Sequence, residues 1–420
     1  MQQTSWILGV LAAALLAVLG VDRLSAAENW PQFRGPTCQG HADDADVPTT
    51  WSETENVAWK TAIHGRGWSS PIVWGDQVWL TTATADGKQM FAVCVDRDSG
   101  KIVHDLKLFE NDKPEEIHEL NSYASPTPCI EAGRVYVHFG SYGTACIDTA
   151  SGKTLWQRRD LPCNHFRGPG SSPMFYGDAI LIHYDGYDFQ YVVALDKRTG
   201  ETVWRSDRQI DFGTDNGDFK KAYCTPLLIE TNGRKQLISP ASKAVVALDP
   251  DTGKEIWTVR YSEFSATARP VFGHGLVFVN TGFGKAELWA IRPGGEGDVT
   301  ETHVAWRVSR QIGSKPSPVL VGDNLYQIHD SGVATALDAR TGKEVWTKRL
   351  SGQFSASLLA SQGNVFLFSQ QGPTYVVKAG NAFEQIGENK LDAGCMASPA
   401  VAGNALFVRT ETHLYRIEKK

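Results

Sequence analysis

The sequence lacks an excess of charge of either sign. Its 420 residues contain 41 Lys and Arg against 47 Asp and Glu, giving a formal net charge of −6. Proteins that bind nucleic acid neutralise phosphates and generally need a basic excess, so nucleic acid is not expected as the main partner. Low-complexity tracts and runs of like charge are also absent, which argues against extensive disorder.

The sequence also lacks paired cysteines. None of its seven cysteines stands beside another or belongs to a CxxC motif, so neither a zinc site nor a redox motif is indicated. In an oxidising compartment an odd number leaves at least one thiol free or paired with another molecule. The seven are Cys38, Cys94, Cys129, Cys146, Cys163, Cys224 and Cys395.

The apolar run near the amino terminus is too short for a comfortable membrane span. It covers the 16 residues from Trp6 to Val21, whereas a spanning helix needs about 20. This length suits a signal peptide, and Ser25 and Ala27 supply the small residues before a cleavage site. We predict a signal peptide at 1–27 and an exported protein, periplasmic or extracellular, without a transmembrane span when mature. Because no Lys or Arg precedes the run, an uncleaved membrane anchor stays an alternative.

A short phrase, D-x-x-[ST]-G, recurs along the chain. The Asp suits a turn that bonds its own backbone, the Gly can take a positive φ, and alternating apolar residues on both sides predict strands. A Trp follows the Gly by four residues in four copies, and His104 takes that place in the first. The copies begin at Asp96, Asp148, Asp196, Asp249 and Asp338, and the tryptophans are Trp156, Trp204, Trp257 and Trp346.

Each phrase belongs to a unit of four short strands, the pattern of a β-propeller blade of about 40 to 55 residues. Strand openings occur at Pro71, Pro126, Pro173, Pro226, Pro270, Pro318, Leu358 and Pro399. The eighth unit has only three strands, and "NVAWKTA" near the amino terminus resembles "HVAWRVS" of the fifth. We therefore predict an all-β, eight-bladed propeller of four-stranded antiparallel blades at 56–420, in which the N-terminal strand with Trp59 completes the last blade. Residues 28–55 form an N-terminal extension.

The repeated tryptophans and two of the cysteines follow the period of the blade. We interpret the indoles as core, wedged between adjacent blades, and not as a cofactor box. Cys94 and Cys146 take the place of alanines in other blades, which favours small buried residues over reactive thiols.

Units that combine "ALDxxTGxxxW" with "SPxxxGDxxxV" resemble the PQQ-like (quinoprotein) repeat, and "NWPQFRGP" at Asn29 to Pro36 resembles the start of bacterial secreted members with PQQ-like propellers. The resemblance implies an eight-bladed propeller like those of quinoprotein alcohol dehydrogenases and BamB-like assembly factors. The enzymes of that family hold PQQ over the channel with a Ca²⁺ bound by Glu, Asn and Asp, an Asp base and often a vicinal disulfide. This sequence has no Cys-Cys pair, and no segment matches the enzymatic motif well enough to assign a Ca²⁺ ligand or a base.

Loops that enter the inner strands converge on one mouth of the channel and form the predicted site. Their cations predict a locally positive mouth that favours a small anionic ligand or an acidic loop of a protein partner. Alternatively, each cation pairs with an acid of the same loops: Glu115, Glu116, Glu119, Asp211, Asp215, Asp218 or Glu263. The candidate binding residues are Arg66, Trp68, His165, Arg167, Lys221, Tyr223, Arg269 and Lys315.

Three other clusters have a possible chemistry and a simpler interpretation. The loop "DFGTDNGD" could bind Ca²⁺ through Asp211, Asp215, Asn216 and Asp218, but it lacks the EF-hand spacing and a solvated turn is favoured. His165 with Ser171 resembles a base and nucleophile without a placed acid or oxyanion hole. His118 among three glutamates could bind a metal, although a polar loop is favoured.

We therefore predict a non-catalytic binding or scaffold protein, a monomer that takes a ligand or partner at the channel mouth. The alternative is a quinoprotein-type dehydrogenase that uses PQQ and Ca²⁺.

Overall fold

A computed structural model describes residues 28–420, and the predicted signal peptide lies outside the described residues. Nearly all the regular structure is β-strand. The first strand is β1 (Val57–Ala62). Blade 1 contains β2 (Ile72–Trp74), β3 (Gln77–Ala83), β4 (Gln89–Asp96) and β5 (Ile102–Glu110), and blade 2 contains β6 (Cys129–Glu131), β7 (Arg134–His138), β8 (Thr144–Asp148) and β9 (Thr154–Arg158).

The next three blades follow in chain order. Blade 3 contains β10 (Met174–Tyr176), β11 (Ala179–Asp185), β12 (Gln190–Asp196) and β13 (Thr202–Asp207). Blade 4 contains β14 (Leu227–Thr231), β15 (Arg234–Pro240), β16 (Ala244–Leu248) and β17 (Glu255–Arg260), after a 3-10 turn at Gly217–Phe219. Blade 5 contains β18 (Val271–Gly273), β19 (Leu276–Asn280), β20 (Leu288–Ile291) and β22 (Val304–Val308), with β21 (Gly297–Asp298) and the short helix α1 (Thr300–His303) before its last strand.

The last three blades complete the ring. Blade 6 contains β23 (Val319–Val321), β24 (Asn324–Ile328), β25 (Val333–Asp338) and β26 (Glu344–Arg349). Blade 7 contains β27 (Leu359–Ser361), β28 (Asn364–Phe368), β29 (Pro373–Lys378) and β30 (Gln385–Lys390). Blade 8 contains β31 (Ala400–Ala402), β32 (Ala405–Arg409) and β33 (His413–Ile417).

The strands form eight sheets, and the four main strands of each blade run antiparallel to their neighbours, so the predicted eight-bladed propeller is confirmed. The structure corrects one opening: blade 2 starts after Pro128 and not at Pro126, because Cys129 is the first residue of β6. The sequence pattern did not predict β21. This short strand pairs in parallel with β17, so blade 4 gains a fifth strand.

The amino-terminal strand closes the ring, as predicted. Strand β1 pairs with β33 in antiparallel fashion, with Trp59 opposite Arg416 and Lys60 opposite Tyr415. Because β1 takes the outer place of blade 8, both ends of the propeller are held in one sheet and β33 is not left as an open edge.

The D-x-x-[ST]-G phrase forms the predicted turn between the third and fourth strands. In blade 3, Asp196 Oδ1 accepts hydrogen bonds from the backbone N–H groups of Arg198 and Thr199 at 2.9 and 2.8 Å. Gly200 has φ +76°, and a Cβ there would lie 2.6 Å from the ring of Trp156 in the preceding blade. Glycine is therefore required both by the backbone conformation and by the packed indole.

The repeated indoles join adjacent blades as predicted, but among them only Trp257 is fully buried and the others are partly buried. The Trp156 N–H donates to Lys197 O in the next blade at 2.9 Å. Trp59 and Trp306 make the same contact with Arg97 O and Ala339 O at 2.9 and 3.1 Å. Trp257 departs from the pattern and donates to Gln236 Oε1 within its own blade, since the segment with β21 replaces the turn in blade 5.

All seven cysteines are free and buried. Burial raises the pKa of the Cys146 thiol to about 12 and raises the pKa of Cys94 still further. Both thiols therefore stay protonated at neutral pH, as expected for small core residues.

A belt of side-chain hydroxyls runs around the inner ends of the blades. Each member precedes the first strand of its blade, and its oxygen accepts the backbone N–H of the corresponding residue in the preceding blade, at 2.9 to 3.2 Å. Only blade 5 lacks a hydroxyl, because Arg269 stands there. The belt consists of Ser70, Thr127, Ser172, Thr225, Ser317, Ser357 and Ser398.

Candidate functional site

A cavity of about 420 Å³ opens at one mouth of the central channel, and we call it the cup. Its wall comes from loops that join an outer strand to the next inner strand and from hairpins between second and third strands. Since neighbouring strands are antiparallel, these loops share one face, and the D-x-x-[ST]-G turns lie on the other. All seven belt hydroxyl residues line the cup.

The N-terminal extension supplies the floor of the cup. Phe33 lines the cavity, and its carbonyl accepts a hydrogen bond from Arg269 Nη1 at 2.6 Å. The extension contacts successive blades: Trp30 pairs with Val73 of blade 1, and Gly40 O accepts from Ala360 N–H of blade 7 at 2.8 Å. The channel is therefore obstructed on the side opposite its mouth by the chain itself.

Five of the predicted site residues line the cup, and they come from blades 1, 3, 4 and 6. These are Trp68, Arg167, Lys221, Tyr223 and Lys315. Of the other three, Arg66 lies beside the cup with its guanidinium 5.2 Å from the Trp68 ring. His165 is buried behind the wall, and Arg269 is only 1% exposed.

Each cation of the cup has a carboxylate neighbour. Lys221 is buried and forms an ion pair with Asp218, which also lies 3.6 Å from Arg167. Burial lowers the pKa of Lys221 more than Asp218 raises it. Burial works to raise the pKa of Asp218, but the hydrogen bond and charge of Lys221 outweigh it and the pKa is lowered. Each of the two groups therefore favours the charged form of the other.

The sequence did not point to the second carboxylate of the cup. Asp330 lies in the hairpin between β24 and β25, 3.6 Å from Lys315, and accepts the Ser314 N–H at 3.1 Å. The predicted site included only the loops that enter the inner strands. Hairpins between second and third strands open on the same face as those loops. With three cations against two carboxylates, the lining keeps a positive excess of one.

The Asp-rich loop is organised as a turn. Asp211 accepts the Gly213 N–H at 2.9 Å, and Asn216 caps the 3-10 turn through Asp218 N–H at 3.0 Å. No group of three or more His, Cys, Asp or Glu side chains gathers as a metal site anywhere in 28–420, so neither this loop nor His118 with its glutamates assembles one.

His165 and Ser171 do not form a catalytic pair. His165 Nε2 accepts the Ser141 N–H at 3.0 Å, and its Nδ1 lies 3.8 Å from Cys163 Sγ. Ser171 Oγ is buried without a hydrogen-bond partner. Burial lowers the pKa of His165 to about 4, so the ring is neutral and positions a loop.

A Ser-His-Asp arrangement that the sequence pattern did not reveal lies between blades 3 and 4. His183 Nε2 is 3.0 Å from Ser239 Oγ, and His183 Nδ1 is 3.8 Å from Asp185. However, Arg208 holds both oxygens of Asp185 at 2.6 Å, and the serine is fully buried. A nucleophile must reach its substrate, so we interpret this network as a structural link between blades.

The cup does not fit the Ca²⁺ that accompanies PQQ in the family's enzymes. Calcium takes six to eight oxygens, usually with several carboxylates on one side. Asp218 and Asp330 come from different blades, and each is engaged by a lysine. The floor is the ring of Phe33, whereas the one cup-lining indole, Trp68, is on the wall.

Exposed aromatic side chains gather beside the cup, on the loops of blades 3 to 5. We call this surface the crest. The Arg167 guanidinium lies 4.8 Å from the Phe166 ring, and Lys221 Nζ lies 5.8 Å from the same ring. Clustered exposed rings with interleaved cations are typical of a binding surface. The crest consists of Phe166, Tyr187, Phe189, Phe219 and Phe283.

Fold and site together define an eight-bladed β-propeller with a cation-bearing cup that opens at one mouth of its channel. A family model of PQQ-like repeats, described as outer membrane protein assembly factor BamB, matches residues 43–188 and 188–420. The chain therefore belongs to this family of PQQ-like propellers.

Two curated relatives bear different names. The chain is 25% identical over 320 residues to an outer membrane protein assembly factor BamB of Shewanella oneidensis, covering 71% of this chain and 75% of the relative. It is 32% identical over 194 residues to a 1-butanol dehydrogenase (quinone) of Thauera butanivorans, which covers 39% of this chain. This match spans only 27% of that dehydrogenase.

Solved structures show the same fold at low sequence identity. BamB from Moraxella catarrhalis aligns with a TM-score of 0.60 and 12% identity, covering 86% of this chain and 99% of that one. Quinohemoprotein alcohol dehydrogenase from Comamonas testosteroni aligns with a TM-score of 0.65 and 11% identity, covering 94% and 81%. Within residues 28–420, no helix has the length and apolar character to cross a membrane.

Proposed function

We propose that this protein is an exported, non-catalytic binding module that takes an anionic ligand, or an acidic loop of a protein partner, in its cup. The observation that carries the proposal is the lining: three cations, two carboxylates and twelve Ser and Thr residues, among them the seven of the belt, surround an aromatic floor. Each belt oxygen accepts a backbone N–H, which leaves its own proton for donation. Only Ser357 Oγ already donates within the belt, to Ser317 Oγ at 2.9 Å. Such a lining offers more donors than acceptors.

The absence of an assembled reaction centre in the described cup supports binding over turnover. Its two carboxylates are held in ion pairs, and His165 lies behind the wall. A general base needs a free lone pair within reach of the substrate. The BamB-named relative and structure favour a protein partner in the periplasm, and the crest gives such a partner apolar area next to the cup.

Replacing the three cup cations tests the proposal. The triple variant Arg167→Gln, Lys221→Met, Lys315→Gln removes the positive lining, and charge-assisted hydrogen bonds contribute about 1.5–3 kcal/mol each. Binding of a galacturonate trimer and of a glutamate-rich decapeptide is measured by calorimetry at low and high salt. We expect binding to weaken at least about tenfold, which corresponds to about 1.4 kcal/mol, with a flatter salt dependence.

The matched control removes three cations from the opposite face, where the D-x-x-[ST]-G turns lie. It carries Lys153→Gln, Arg198→Gln and Lys343→Gln, all exposed positions. The net charge changes equally, so a difference between the two variants reports the cup alone. Equal binding by both variants would contradict the proposal that the cup binds an anionic ligand. So would the absence of saturable binding of either probe to the unaltered protein.

A further inference from the structure

Two buried arginines lie behind the floor of the cup, and neither has a carboxylate partner among residues 28–420. Arg34 is 2% exposed and Arg269 is 1% exposed. Arg269 donates to Phe33 O at 2.6 Å and Pro226 O at 2.9 Å, and Arg34 Nη2 donates to Pro318 O and Gln39 O at 2.6 Å. Their oxygen acceptors are all backbone carbonyls, which carry no net charge.

The two guanidiniums share one neighbourhood. Arg34 follows Phe33, whose carbonyl binds Arg269, while the Arg269 backbone N–H donates to Ser317 Oγ at 2.9 Å. Ser317 in turn precedes Pro318, the acceptor for Arg34. Burial, with the charge of Arg269 adding to it, lowers the pKa of Arg34 to about 9. The Arg34 side chain therefore stays charged at neutral pH.

Three of their nitrogens lack an oxygen acceptor. Arg34 Nε and Nη1 are buried without any hydrogen-bond partner. Arg269 Nη2 meets only the thioether sulfur of Met174, at 3.6 Å. Buried polar groups are nearly always satisfied, and an isolated buried charge is far more costly than a neutral group. Two like charges that share a neighbourhood increase this cost.

We propose that the channel behind the cup floor binds a chloride ion, held by the free N–H groups of Arg34 and Arg269. A small monovalent anion neutralises one of the two charges and accepts several N–H donors at once. This ion would fix the extension across the channel and is independent of any ligand in the cup.

Melting at constant ionic strength tests the proposal on the unaltered mature protein. Gluconate is exchanged for chloride or bromide, and a ligand of the native state raises the melting temperature as its concentration rises. We expect a saturable rise with chloride and bromide, and none with gluconate. Crystals grown in bromide should show an anomalous peak beside both guanidiniums. Melting that does not change with the halide, or a bromide crystal without that peak, would overturn the site.

A matched pair of variants assigns the effect to these side chains. Arg34→Met should abolish the halide dependence. Arg409→Met is the control, because Arg409 is equally buried but donates to Ser69 O and Thr81 O at 3.1 and 2.7 Å. The control should melt at a lower temperature and keep the full halide dependence. Loss of the dependence in both variants would contradict the assignment, and if Arg34→Met does not fold, the bromide crystal decides.

Discussion

The backbone N–H of Ser398 donates a 3.1 Å hydrogen bond to Oγ of Ser70, 328 residues away in the sequence. This contact joins blade 8 to blade 1 and completes the hydroxyl belt on the inside of the ring. On the outside, β1 joins the same two ends through its pairing with β33. The propeller is therefore closed twice, once by a strand and once by a side chain.

Removing one belt hydroxyl should destabilise the ring. Ser70→Ala leaves the buried N–H of Ser398 without an acceptor, and an unsatisfied buried donor costs about 1–3 kcal/mol. Ser309→Ala, an exposed serine next to β22, is the control and should be nearly neutral. Urea unfolding compares the two, and equal midpoints would show that the belt does not contribute to stability.

Removing the closing strand should have a larger effect. Deletion of 28–62 opens the edge of β33 and removes Trp59, and loss of a core Trp alone costs about 3–5 kcal/mol. Typical stabilities are about 5–15 kcal/mol, so we expect aggregation or a much lower melting temperature. Deletion of 28–55 alone removes the floor of the cup but keeps β1, so it separates the effect of the floor on stability from the effect of ring closure. A soluble 28–62 deletion with unchanged melting would contradict closure by this strand.

The contact between a turn glycine and an indole can be isolated with two alanine substitutions. Gly200→Ala places a Cβ 2.6 Å from the Trp156 ring, whereas Gly133→Ala meets nothing within 4 Å. Both glycines have similar positive φ values, +76° and +79°, so the backbone strain is matched. Overpacking typically costs about 1–3 kcal/mol, and Gly200→Ala should be the less stable variant by this amount. Equal thermal stability would mean that the indole moves aside freely.

Stability should fall on acidification below pH 6.5. Burial lowers the pKa of His138 to about 3, that of His165 to about 4, and that of His183 well below its ordinary value. The unfolded chain binds these protons near pH 6.5 and the folded one does not, so each histidine lowers the unfolding free energy by about 1.4 kcal/mol per pH unit. Between pH 6 and 4.5 the unfolded chain should bind nearly three more protons than the folded one, which sets the slope of the unfolding free energy against pH. Unfolding measured at several pH values checks this, and a flat profile would mean that these rings are hydrated.

The sequence predicts the ring well, because a propeller repeats local signals. The turn phrase needs a glycine at positive φ under an indole, so Gly200 and Trp156 keep a fixed spacing. The likeness of the Trp59 and Trp306 segments revealed closure. The structure of the chain between Ile291 and Val304 was not predicted. Strand β21 consists only of Gly297 and Asp298, which pair with the neighbouring blade and show no apolar pattern.

The site was predicted less completely, because sequence shows which loop holds a side chain but not its direction. Arg167 and Arg269 both precede inner strands, yet one lines the cup and the other turns inward to Phe33 O. The extension carries no repeat signal, so its role as floor could not be inferred. Asp330 was missed because the short hairpin between β24 and β25 looks like an ordinary turn in the sequence.

The most direct test of non-catalytic binding is a turnover measurement with the family's cofactor. The purified protein is titrated with PQQ and Ca²⁺, and reduction of a dye acceptor is followed with alcohols and sugars as substrates. The account predicts dye reduction no faster than with PQQ and Ca²⁺ alone, even where PQQ occupies the cup as a carboxylate-bearing anion. Saturable, Ca²⁺-dependent turnover that is lost on replacement of Trp68 or Asp330 would contradict it.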